Sequence, residues 1–192
     1  DDGTGSTLYA GGEFTHSGDD YVPWLARWDG ESWLSLPAGP NGPVRALALF
    51  DDGAGESLYV GGNFLNAGNM VVNRIAKWNG KTWSQLNYGV GNNIPTTVDA
   101  LASFDDGQGP ALFVGGGFQS ASGQIIKYLA RWNGDEWQAL PEGPNGQVFF
   151  RHVLEYDESS VLLVAGNFTH VGEQLVCGFA QLDQGTWSPA GP

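Results

Sequence analysis

A chain of 192 residues that is 41% hydrophobic and 12% aromatic can bury a sizeable core, which excludes a disordered tail. Its 8 basic against 21 acidic residues give a net charge of −13, which repels phosphate backbones and anionic membranes and argues against nucleic acid as a partner. The one cysteine, Cys177, provides neither an internal disulfide nor a cysteine zinc cluster, and no run approaches the roughly 18 apolar residues of a membrane-spanning helix.

From the front, the stretch LYAGGEF (8–14) returns as LYVGGNF (58–64), LFVGGGF (112–118) and LLVAGNF (162–168). Such self-similarity at a period of 20 to 50 residues marks an array whose units cannot bury their apolar faces alone. Unit starts at Asp1, Asp51, Asp105 and Asp157, separated by 50, 54 and 52 residues, predict repeats 1–50, 51–104, 105–156 and 157–192 within a single domain. In each, an Asp- and Gly-rich turn leads into the LYVGG strand and then a polar loop of variable sequence. A second strand follows, WLARWDG (24–30), RIAKWNG (74–80), YLARWNG (128–134) or FAQLDQG (179–185). The Asp-Gly or Asn-Gly pair closing the first three of these is a hairpin signal. The return strands are SWLSL (32–36), TWSQL (82–86), EWQAL (136–140) and TWSPA (186–190). A Gly/Pro loop then hands over to the apolar runs VRALALF (44–50), VDALASF (98–104) and VFFRHVLEY (148–156). Four short strands per unit, with a turn at every junction, predict an all-β chain of four-stranded antiparallel propeller blades with almost no helix.

Side chains alternate faces along a strand, so Ala26, Ala76, Ala130 and Ala180 share a face with the Trp28, Trp78, Trp132 and Leu182 positions two residues later. The small residue lets neighbouring blades approach while the ring fills the space between them, which makes Trp28, Trp78 and Trp132 expected core residues. The pairs Gly11–Gly12, Gly61–Gly62 and Gly115–Gly116 predict close backbone approach or a bulge at a strand end.

With its GG pair ending one strand and a tryptophan-bearing hairpin after it, the chain resembles the kelch-like β-propeller repeats across all four units. The likeness is strongest to the GGxF…ARWxGxxW…GxVxAL arrays of large secreted bacterial proteins and fungal cortical marker proteins. That resemblance implies an extracellular or cell-surface, acidic repeat protein that binds, adheres or assembles. The WDGESW and DQGTW hairpins also resemble the Asp-box turn of sialidases, a fold-stabilising turn that implies no activity.

Candidates for chemistry are weighed against their place in the repeat. His16 and His170 occupy equivalent positions, filled elsewhere by Asn66 and Ser120, which marks them as loop residues. Cys177 stands where Pro23, Asn73 and Lys127 stand in the other units, with no His or Asn partner evident for a nucleophile. Asp51, Asp52, Asp105 and Asp106 bring carboxylates and flexible carbonyls together, ligand types that calcium prefers, though each loop supplies about half of the six or more oxygens required. An Asp at a turn's first position, held by its own side-chain hydrogen bonds, is the better explanation. Asn167-Phe168-Thr169 is a glycosylation acceptor triplet for a chain made in a eukaryotic secretory pathway.

Propeller ligands meet loops that the repeats do not share, which directs attention to 15–22, 65–72, 119–126, 169–176 and the long connection 87–98. Asp19, Asp20, Tyr21, Tyr88, Asn92 and Asn93 are the expected ligand-facing groups. Two function classes follow: a non-enzymatic binding, adhesion or assembly module for a protein or glycan, and a polysaccharide lyase or glycoside hydrolase. The latter would use a carboxylate pair drawn from Asp19, Asp20, Asp99 and Glu173. Finally, four LYVGG strands and four tryptophan hairpins are matched by only three VRALAL-type runs, so the first blade is one strand short. That predicts a longer array, or a further copy of the repeat supplying the strand in trans.

Overall fold

Apolar runs become strands and glycine-rich junctions become turns throughout residues 7–91, 96–156 and 159–190, which the computed structural model describes. No helix occurs among them. The second sheet runs Val44–Asp51, Glu56–Gly62, Ile75–Trp78, Trp83–Gln85, each strand pairing antiparallel with the next. The third repeats this with Val98–Asp105, Pro110–Gly116, Leu129–Trp132 and Trp137–Ala139. The fourth does so with Gln147–Tyr156, Ser159–Asn167, Phe179–Asp183 and Thr186–Pro189. The first sheet has three strands, Leu8–Gly11, Leu25–Trp28 and Trp33–Ser35, with Leu8–Gly11 at its edge. The all-β antiparallel expectation therefore holds. Each four-stranded sheet takes its opening strand from the end of one sequence unit and its other three from the next.

Side-chain carboxylates and carboxamides shape the turns. Asp51 Oδ1 accepts from the amides of Gly53 and Gly55 at 2.8 and 2.9 Å, and Asp105 Oδ1 from Gly107 and Gly109 at 2.9 and 3.0 Å. Gly53 and Gly55 have φ of 94° and 100°, the left-handed region where a side chain is strained. In the tryptophan hairpins, Asp29, Asn79 and Asn133 accept from the amides two and three residues on. These two bonds pull the Asp29 carboxyl below its ordinary pKa. The segments after GGxF, expected to be plain loops, contain two-stranded hairpins at His16–Ser17 with Asp20–Tyr21, Asn66–Ala67 with Met70–Val71, and His170–Val171 with Gln174–Leu175.

The cores lie between successive sheets and use equivalent positions each time. Tyr9, Leu25 and Leu36 of the first sheet pack on Val60, Phe64, Ala76, Trp78 and Trp83 of the second. Tyr59, Ile75 and Leu86 pack on Val114, Phe118, Ala130, Trp132 and Trp137 of the third. Phe113, Leu129 and Leu140 pack on Val164, Phe168, Ala180, Leu182 and Trp187 of the fourth. Each junction is pinned by an indole: Trp83, Trp137 and Trp187 donate through Nε1 to the carbonyls of Pro37, Leu86 and Pro141 at 3.1, 3.1 and 3.3 Å. The opening strands also lie in succession, Val44–Asp51 against Val98–Asp105 and that against Gln147–Tyr156.

The glycine pairs have separable tasks. A Cβ on Gly11, Gly61 or Gly115 would stand 2.4, 2.4 or 2.7 Å from Cγ1 of Val44, Val98 or Val148, the valine that begins the following sheet. A Cβ on Gly62, Gly116 or Gly166 would stand 2.1, 2.0 or 2.0 Å from the carbonyl oxygen of Pro43, Thr97 or Gln147, which leads into the opening strand of the same sheet. The first glycine admits the next sheet and the second admits the sheet's own first strand. The fourth unit reads Ala165–Gly166 and keeps only the second glycine. The tryptophan expectation needs one correction: Trp78 and Trp132 are buried, but Trp28 is only half-buried, because no described sheet covers that face of the first.

Candidate functional site

Three β-bulges build the most distinctive polar feature of the chain. Pairing of each opening strand skips one residue, between Val44 and Ala46, between Val98 and Ala100, and between Val148 and Phe150. A bulge leaves one residue outside the ladder and re-aims its side chain. The residues so released are Arg45, Asp99 and Phe149, on three strands that lie side by side.

The groups around them form a network that joins all four sheets. Asp99 Oδ2 accepts from Thr97 Oγ1 at 2.7 Å and from Gln147 Nε2 at 2.9 Å, while its Oδ1 lies 3.7 Å from Arg45 Nη1. Arg45 Nη2 donates to Glu13 Oε1 at 3.3 Å. The Asp99 side chain is largely covered, at 8% exposed, Arg45 is half-exposed, and Phe149 presents a half-exposed ring two residues from Gln147. An arginine held between two carboxylates is oriented and partly neutralised, and its remaining N–H donors stay available to an incoming acceptor. With two acids to one base, the row suits a hydroxyl-rich or cationic ligand better than a phosphate.

A second depression, of about 370 Å³, opens between the second and third sheets and is lined by Asn73, Tyr88, Ser120 and Ser122 with Gly89, Gly91 and Gly123. The Asn73 amide donates to the Tyr88 carbonyl at 2.8 Å, and the Tyr88 ring is 75% exposed. Asn73 and Ser122 have φ of 48° and 46°, and backbone bonds from Gly91 to Ser120 and from Ser122 to Gly89 tie the two sides together. The depression is therefore preformed.

The residues expected from the sequence to meet a ligand fall apart in space. Tyr88 lies in the depression just described, and Asn92 and Asn93 lie outside the described residues. Asp19, Asp20 and Tyr21 sit at the exposed tip of the first small hairpin, where the Tyr21 ring meets His16 edge-on at 5.4 Å. Glu173 occupies the equivalent turn of the fourth sheet, and Asp99 belongs to the bulge row. Cys177 is exposed and free. Each histidine of the small hairpins faces its neighbouring threonine hydroxyl, His16 at 2.9 Å and His170 at 2.8 Å.

The aspartates considered for calcium are engaged in the turns. Beyond the backbone bonds of Asp51 and Asp105, Asp52 Oδ2 accepts from the Lys77 ammonium and, at 2.8 Å, from the Tyr59 hydroxyl. Burial raises the Asp52 pKa, but the bonds from Lys77, Tyr59 and the Ala54 amide, with the Lys77 charge, together outweigh it and leave the carboxyl below its ordinary value. Burial first, and then Asp52, raise that of Tyr59. Asp106 Oδ1 lies 3.4 Å from Arg131 Nε, and Arg131 reaches the carbonyls of Gln108 and Gly109. Among the described residues, no group of three or more His, Cys, Asp or Glu side chains could hold a metal ion.

Sequence reasoning passed over Arg45, Glu13 and Phe149. The signal was present: in VRA, VDA and VFF the middle residue changes in type while the valine before it repeats. Compared with known proteins, the chain matches no family model and no curated protein.

Proposed function

We propose that this chain is a non-enzymatic, extracellular or cell-surface binding and adhesion module, built on a kelch-like propeller array, that takes a glycan or protein ligand along the bulge row. The observation that carries this reading is the row itself. Arg45, Asp99 and Phe149 differ among otherwise repeated strands, and a position that varies on a constant scaffold is where specificity is set. Side-by-side opening strands support the propeller geometry, since blades meet at their first strands around a common axis. Of the carboxylates considered for hydrolysis, Asp99 is held in cross-sheet bonds, while Asp19 and Asp20 lie in the small hairpin of the first sheet and Glu173 in that of the fourth, which favours binding over hydrolysis.

The test is a panel of neutral, basic and acidic polysaccharides and matrix proteins, scored for both retention on the immobilised chain and degradation. Retention that falls at least tenfold in Arg45→Ala, with folding intact by circular dichroism, supports the reading. Degradation of any polysaccharide would replace it with a carbohydrate-active enzyme.

A further inference from the structure

The first sheet retains the fittings for an opening strand that none of its described residues provides. In the other three sheets the second glycine of the pair (Gly62, Gly116, Gly166) lies under the carbonyl of the segment entering that strand, within about 2 Å of where a methyl would stand. Gly12 keeps the same residue, yet a Cβ there would meet only Phe14, its ring carbons at 2.9 and 3.2 Å. Leu8 is 61% exposed, whereas Leu58, Leu112 and Leu162 are buried.

The entering segment makes a second set of bonds. Asn41 Oδ1 accepts from the amides of Leu65 and Asn66, both at 2.9 Å, and Asn145 Oδ1 from those of Thr169 and His170 at 2.9 and 3.2 Å. The glycine that follows passes tightly over a carbonyl: a Cβ on Gly42 would lie 2.4 Å from the Asn63 oxygen, and one on Gly146 2.0 Å from the Asn167 oxygen. In the first sheet the corresponding amides belong to Thr15 and His16, and no described side chain plays the asparagine's part.

We propose that the edge of the first sheet is a binding seat for one extended strand carrying Asn-Gly-x-Val followed by alternating small and apolar residues. Such a strand adds antiparallel to Leu8–Gly11 in the register that Val44–Asp51 takes on Glu56–Gly62, with main-chain bonds supplying affinity and the Asn-Gly pair supplying specificity. In that register Leu47 opposes Val60, so its counterpart in the incoming strand would lie over Ala10. Ala10 and Ala26 line an apolar cavity of about 310 Å³ with Phe14, His16, Ser17 and Trp33, and the leucine would enter it. The seat is separate from the bulge row's ligand, so either proposal can fail without the other.

The probe is a synthetic peptide copying residues 41–51, titrated into the whole chain while following tryptophan fluorescence and amide exchange. Saturable one-to-one binding that slows exchange across residues 8–12 is expected. The peptide with Asn41→Ala should bind on the order of tenfold more weakly, since two hydrogen bonds are lost. The peptide with Gly42→Val should not bind, because its side chain meets the Glu13 carbonyl. Gly12→Ala in the protein should abolish binding while the fold persists by circular dichroism, with only the modest loss of melting temperature that displacing the Phe14 ring costs. The proposal is overturned if the peptide fails to bind, if protection appears elsewhere, or if the Gly42→Val peptide binds as well as the parent. Self-association of the chain that covers residues 8–12 and excludes the peptide would equally overturn it.

Discussion

Replacing Gly61 by alanine tests the packing logic of the whole array. The added methyl would stand 2.4 Å from Val98 Cγ1, 3.1 Å from Val98 Cβ and 3.3 Å from Leu101 Cδ1, all on the opening strand of the third sheet. Ordinary carbon contacts lie at about 3.5–4.0 Å, so the closest approach is short by roughly 1.1 to 1.6 Å and the two sheets must separate or Val98 must leave its rotamer. Overpacking of this kind costs about 1–3 kcal/mol, against which alanine recovers about 0.4–1 kcal/mol by restricting the unfolded chain. The net loss, centred on about 1.3 kcal/mol, corresponds to a melting temperature lower by roughly 3–5 °C for a chain of this size. Calorimetry of Gly61→Ala, Val98→Ala and the double variant would show it. The pair should be coupled by about 0.5–3 kcal/mol, because the new methyl occupies the space that Val98 vacates. As a control, Ala165→Gly relieves no clash and should lower the melting temperature slightly. A Gly61→Ala variant that melts at or above the parent temperature, or strictly additive effects in the double variant, would refute the reasoning.

Trp78→Ala or Trp132→Ala should cost about 3–5 kcal/mol in urea unfolding, and Trp28→Ala distinctly less, because the first sheet leaves that ring half-covered. Asp52 binds its proton less tightly folded than unfolded. The stability it contributes is therefore complete above about pH 4 and is lost as pH falls through its lowered folded value, and Lys77→Met should flatten that acid limb of an unfolding-versus-pH curve. Because Lys77 and Arg131 already hold Asp52 and Asp106, millimolar calcium and a chelator are expected to give the same melting temperature. A rise of several degrees with calcium would show that the turns bind it.

By itself the sequence determined the repeat of its motifs, the all-β class, and the strands of the four sheets with their turns, but not the small hairpins after GGxF. These rest on local chemistry: alternation along RIAKW, left-handed glycines in DDGAG, and the Asp29, Asn79 and Asn133 side chains that close the tryptophan hairpins. It also registered that two glycines recur, without separating their tasks. Only the tertiary structure decided that Gly61 serves the next sheet while Gly62 serves its own, since that depends on which backbone passes overhead. The burial of Trp78 but not of Trp28, identical in their local patterns, likewise depends on whether a neighbouring sheet covers them. The bulge row was hidden for the same reason: a one-residue slip in pairing turns Arg45, Asp99 and Phe149 out of the ladder, and contacts among Glu13, Arg45, Asp99 and Gln147 join residues more than thirty positions apart that meet only when the sheets stack.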